Sequence, residues 1–104
     1  MNLTIDIKED GKKYTVQLRG EIDVYTAPTL REKLIPLTER AGNNIKIDLE
    51  EISYLDSTGL GAFIHAYKSS KQHNSDIEII HVKDRVFRLF QVTGLNDIME
   101  VVPK

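Results

Sequence analysis

Leu3, Ile5 and Ile7 alternate with Thr4, Asp6 and Lys8, and after Glu9-Asp10-Gly11 the alternation resumes at Tyr14, Val16 and Leu18. A period of two places alternate side chains on opposite faces of a strand, so these segments predict a hairpin. The period then lengthens. Leu30, Leu34, Leu37 and Ala41 recur at helical spacing behind Thr26-Ala27-Pro28, a hydroxyl that can cap and an early proline, and ahead of Gly42. This predicts a first helix over roughly 27–41, with Pro36 kinking it or ending it early because proline lacks the backbone donor. Ile45, Ile47 and Leu49 return to alternation with Lys46 and Asp48, and continue through Ile52 and Leu55 as a third strand.

A second helix follows from about Thr58 to Gln72, with Leu60, Phe63, Ile64 and Tyr67 on its apolar face and His73-Asn74-Ser75 as its stop. Asp76 to Ile80 reads as a short fourth strand. Val86, Leu89, Phe90 and Thr93 mark a third helix, capped by Asp84 and closed by Gly94, and Ile98 to Val102 reads as a last edge strand. After the opening hairpin, helices and strands alternate through short linkers, which predicts a mixed α/β sheet of four to five strands with about three to four helices packed on it. The 104 residues bound this to one domain spanning 1–104 with one core.

Composition narrows the chemistry. With 14 Lys and Arg against 16 Asp and Glu, scattered along the chain, there is no electrostatic footprint for nucleic acid. The absence of cysteine excludes disulfides, thiol nucleophiles and thiolate metal sites, and fits a reducing cytoplasm. Met1-Asn2-Leu3-Thr4-Ile5-Asp6 carries no basic region followed by an apolar run, and no apolar segment is long enough to span a bilayer, so the expectation is a cytoplasmic protein without a membrane partner. His65, His73 and His81 show no spacing that suggests a metal site, and the expectation is that the chain holds no metal and no cofactor.

The densest local signal is Ile52-Ser53-Tyr54-Leu55-Asp56-Ser57-Thr58-Gly59-Leu60-Gly61-Ala62-Phe63, where strand gives way to helix. Ser57 falls at the helix N-terminus, where unpaired N–H groups and the helix dipole favour an anion such as a phosphate on that serine. Serine is also a preferred capping residue, and Thr58 reads as helping to cap. Gly59 and Gly61 each cost roughly 1 kcal/mol relative to alanine in a helix, which suggests a close approach to the backbone by a partner or by the sheet. Glu21, Asp23 and Tyr25 fall in a loop at another strand exit, so they and Ser57 can share one surface. Tyr25 reads as an exposed contact and Phe63 as core, while Asp23 serves either partner recognition or an Asx-type turn.

Three segments together resemble a known family. Gly20-Glu21-Ile22-Asp23-Val24-Tyr25-Thr26-Ala27-Pro28 with Leu30-Arg31-Glu32-Lys33-Leu34, then Tyr54-Leu55-Asp56-Ser57-Thr58-Gly59-Leu60-Gly61, then Arg88-Leu89-Phe90-Gln91-Val92-Thr93-Gly94-Leu95 are similar, in this order, to the signatures of STAS-domain anti-sigma factor antagonists. The version controlling the sigma-B type general stress response is the nearest. The resemblance implies a bacterial partner switch, in which the unmodified protein binds an anti-sigma factor and frees a sigma factor. It implies that this anti-sigma factor is also a kinase, using ATP to phosphorylate Ser57, and that a metal-dependent serine/threonine phosphatase reverses the step. It places Glu21, Asp23, Tyr25, Asp56, Ser57, Thr58, Gly59, Leu60 and Gly61 on the partner-binding face.

Other chemistries fit less well. A serine nucleophile lacks the G-x-S-x-G elbow, and a phosphate cradle lacks the G-x-x-x-x-G-K-[ST] lysine. A phospho-aspartate receiver fits Asp56 after a strand but lacks the acidic pair after an opening strand. The remaining alternative is a STAS module of another signalling or transport complex, against which the short chain favours the antagonist role.

Overall fold

The computed structural model describes residues 2–104. Its elements run β1 (Leu3–Asp10), β2 (Lys13–Ile22), α1 (Ala27–Thr38), β3 (Asn44–Leu55), α2 (Ser57–Gln72), β4 (Asp76–Val82), α3 (Asp84–Thr93), a 3-10 turn (Leu95–Asp97) and β5 (Glu100–Pro103). The hairpin forms as predicted, with Gly11 at φ 63° opening its two-residue turn, a conformation glycine adopts without steric cost.

The five strands lie in sequence order across one sheet, antiparallel between β1 and β2 and parallel from β2 to β5. Each crossover moves one strand in the same direction, so the right-handed rule puts the helices on a single face. Val16, Leu18, Ile45, Ile47, Leu49, Ile52 and Ile79 point into that face and are fully buried with Leu30, Leu34, Phe63 and Phe90 from the helices. Phe63 and Phe90 bring α2 and α3 together with ring centroids 6.2 Å apart. The opposite face is polar and wet, carrying pairs such as Arg19 with Glu51 at 2.8 Å.

Along β3 the apolar spacing stretches from two to three, Leu49 to Ile52 to Leu55. Two register shifts against β2, between Gln17 and Arg19 and between Gly20 and Glu21, each place an extra β3 residue opposite the partner strand. These bulges keep Ile52 and Leu55 in the core and turn Tyr54 outward, 48% exposed.

Several boundaries differ from expectation. Helix α1 continues through Pro36 but ends at Thr38 rather than near Ala41. Its last carbonyls are taken by side chains instead of a further turn: Thr38 Oγ1 bonds Ile35 O at 2.7 Å, Asn43 Nδ2 donates to Leu37 O at 2.8 Å and Ser75 Oγ donates to Thr38 O at 2.8 Å. Strand β2 runs on to Ile22, so Glu21 is a strand residue and not part of the loop. Strand β4 extends to Val82, and β5 starts two residues later than expected, leaving Ile98 outside it. Asp84 is the first residue of α3 and not its cap, a position held by Lys83 without a side-chain bond, whereas Gly94 closes α3 at φ 76° as expected.

Candidate functional site

The parallel pairing of β2 and β3 ends with Ile22 opposite Leu55, so the segments following both strands leave the sheet side by side. Asp56 N donates to Ile22 O at 3.4 Å across this exit. The loop after β2 is built on Asp23, whose Oδ1 accepts from Tyr25 N at 2.9 Å and Thr26 N at 3.0 Å. Asp23 is therefore an Asx-turn residue, whatever else it touches. Thr26, expected as a helix cap, makes no capping bond; its buried hydroxyl accepts from Asp23 N and donates to Glu21 O, both at 2.9 Å. The loop is thereby fixed from within. It presents Val24 and Tyr25 to solvent, 56% and 77% exposed.

The helix cap of α2 is Asp56, not Ser57 or Thr58. Asp56 has extended backbone and its Oδ1 accepts from Gly59 N at 3.0 Å, while Leu60 N begins the helical ladder on Asp56 O at 2.9 Å. Ser57 and Thr58 are the first two helical residues, and both are exposed. Among the described residues, their N–H groups and the Ser57 hydroxyl have no hydrogen-bond partner. Because the cap is supplied one residue earlier, the Ser57 hydroxyl is not engaged in capping. Asp56→Ala is expected to lower unfolding free energy by about 1 kcal/mol, the usual worth of such a cap, measured by urea denaturation.

The two glycines separate. A Cβ on Gly59 would stand 2.6 Å from Leu55 Cδ1 and 2.7 Å from both Ile22 Cγ2 and Ile22 O, so the close approach here is the protein's own sheet. A Cβ on Gly61 would meet nothing within 4 Å. Gly59 and the Leu60 side chain are buried and so withdrawn from any contact surface, while Gly61 is half-buried. Of the expected partner face, the structure thus brings Glu21, Asp23, Tyr25, Asp56, Ser57, Thr58 and Gly61 to one end of the sheet.

Sequence reasoning missed part of this end. Beside Tyr54 lies an open groove of about 460 Å³ lined by Leu55, Arg85, Leu89 and Val92, with Val92 77% exposed. Arg85 Nη2 anchors one wall by donating to Ser53 O at 3.2 Å. The available signal was the apolar Tyr54 between the inward Ile52 and Leu55.

The STAS domain family matches residues 4–104. The chain belongs to the STAS family. Over its full length this STAS protein is 43% identical to the anti-sigma-B factor antagonist of Bacillus subtilis, covering 94% of that protein. It is 47% identical over 102 residues to the anti-sigma-B factor antagonist of Listeria monocytogenes, covering 97% of this chain and 90% of the relative. Its fold is that of the anti-sigma factor antagonist SpoIIAA, solved unphosphorylated (TM-score 0.75, 14% identity, 97% and 88% of the two chains). The same holds for the Bacillus SpoIIAA in phosphorylated form (TM-score 0.74, 18% identity, 94% and 90%).

A second cluster lies away from the serine. His81, which carried no metal-site spacing in sequence, lies with Asp48 and Glu50 so that one ligating atom from each falls within 4.8 Å of the others. It is on the polar sheet face, outside the residues that surround Ser57.

Proposed function

We propose that this STAS protein is an anti-sigma factor antagonist that binds an anti-sigma factor in its unmodified form and is released by phosphorylation of Ser57. The observation that carries the reading is the exposed Ser57 hydroxyl at the first position of α2, with its cap supplied by Asp56 and two unpaired N–H groups beside it. Those N–H groups and the positive helix end hold a phosphate locally, so modification changes the surface and leaves the fold intact. The exposed apolar residues Val24, Tyr25 and Tyr54 around the serine supply contact area for a protein partner. The names of the relatives at 43% and 47% identity support the antagonist role.

In this reading the anti-sigma factor is the serine kinase, ATP is its substrate and the switch at Ser57 needs no cofactor in this chain. A metal-dependent serine/threonine phosphatase restores the binding form, and the sigma factor is affected indirectly. The chain acts as a cytoplasmic binding protein without enzymatic activity of its own. Among the described residues no helix is long and apolar enough to cross a membrane.

Incubation with ATP and the anti-sigma kinase of the same genome should add one phosphate, mapped to Ser57 by mass spectrometry and absent from Ser57→Ala. Phosphate on another residue, or none with a kinase active on a known substrate, would remove the switch from this reading.

A further inference from the structure

We propose that Asp48, Glu50 and His81 form a binding site for one divalent transition-metal ion of the zinc type on the outer face of the sheet. His81 Nδ1 lies 3.0 Å from Asp48 Oδ2 and 3.9 Å from Glu50 Oε1. Bonds of about 2.0 to 2.1 Å to a tetrahedral ion set neighbouring ligand atoms about 3.3 Å apart; the two His81 separations fall on either side of that edge, and with all three ligating atoms within 4.8 Å of one another the side chains must draw together to hold the ion. The donor set is one imidazole and two carboxylates. An imidazole suits zinc, nickel or copper, whereas magnesium and calcium favour oxygen-only sets, so the ion is of the first kind. Three protein ligands leave a fourth position for water or an exogenous group.

The placement follows from two local devices. Asp48 Oδ1 accepts from Glu50 N at 2.9 Å where β3 departs from simple alternation, which leaves Oδ2 directed at His81. On the neighbouring strand His81 has φ 57°, within a break of the β4–β5 register between Ile79 and Val82. With Ile79 and Val82 both buried, Ile80 and His81 occupy the outer side between them. Glu50 also meets Lys104, whose Nζ is 3.0 Å from the other carboxylate oxygen, Oε2, so Oε1 remains for the ion. Residues 48 and 50 on one strand and 81 on the next meet only through sheet pairing, which is why their spacing in the sequence resembles no metal motif.

The test is a calorimetric titration of the chelator-treated protein with zinc chloride, paired with nuclear magnetic resonance of the histidine rings. One saturable equivalent is expected, with the His81 ring signals perturbed and the melting temperature raised as the ion binds the folded state. His81→Asn keeps a residue type that tolerates positive φ, and Asp48→Asn keeps Oδ1 as acceptor for the Glu50 N–H, so both variants retain the backbone. Each should weaken zinc binding at least about tenfold, while His65→Ala and His73→Ala leave it unchanged. Undiminished affinity in His81→Asn, or no saturable binding through the millimolar range, overturns the site. Neither outcome touches the Ser57 reading, which concerns the other end of β3.

Discussion

Ser57→Asp is expected to bind the anti-sigma factor at least about a hundredfold more weakly than the unmodified protein, and phosphorylated Ser57 weaker still, whereas Ser57→Ala binds within a few-fold of wild type. The alanine variant removes only an exposed hydroxyl without a partner, and its N–H remains available to the helix end. A carboxylate or phosphate adds charge and tightly held water within the proposed contact surface. A phosphate carries about -1.5 to -2 charge at neutral pH, large for a domain of formal charge -2. An unmatched charge trapped at an interface costs several kcal/mol, and every 1.4 kcal/mol is about tenfold in affinity. Calorimetry or surface plasmon resonance with the three forms tests this directly. Equal affinities for Ser57→Ala and Ser57→Asp would refute a charge-based switch. The cross-peaks of the Ser57→Asp protein should move only near residues 23–26 and 55–61; shifts throughout the domain would mean that the fold itself is altered.

Gly59→Ala is expected to destabilise the protein by about 1–3 kcal/mol, and Gly61→Ala to stabilise it by up to about 1 kcal/mol. Both substitutions gain helix propensity of the same size, so the difference between them isolates packing. At Gly59 the added methyl meets two core side chains and the backbone oxygen of Ile22 inside 3 Å; the strand cannot yield there without disturbing its pairing with β3. At Gly61 the methyl enters open space. Urea unfolding of the two variants side by side gives the sign of each. A neutral Gly59→Ala would show that α2 can lift from the sheet at its first turn. Because Gly61 is half-buried beside open space, its variant also reports whether the partner needs a bare backbone: lost anti-sigma binding at full stability would place Gly61 in the contact.

Much of the architecture was legible in the sequence because burial on one face enforces a period. The alternation in Tyr14, Val16 and Leu18 and in Ile45, Ile47 and Leu49, and the helical recurrence of Leu30 and Leu34, each name the side that must meet the core. The hairpin, the α/β alternation and the exposed serine at a helix start follow from such local rules. So does Gly94 as the end of α3, where only a left-handed residue closes the helix.

Local rules failed where a side chain's partner comes from another element. Thr26, Thr58 and Asp84 carry side chains that suit helix caps, but Thr26 is drawn into the Asp23 turn, the α2 cap falls to Asp56 and Lys83 holds the cap position of α3. Capping preference ranks residue types, while the hydrogen bond is awarded by whichever backbone is extended at that point. Helix α1 stops at Thr38 because Asn43, just beyond its end, and Ser75, distant in sequence, take its last carbonyls. The sheet-and-helix order, the core positions and the serine at the head of α2 are local properties, since each depends on residues a few positions apart. That Gly59 packs against Ile22, that Tyr54 turns outward, and that His81 meets Asp48 and Glu50 emerges only in the folded chain. Those facts depend on strand register, and register is a property of paired strands that no single segment carries.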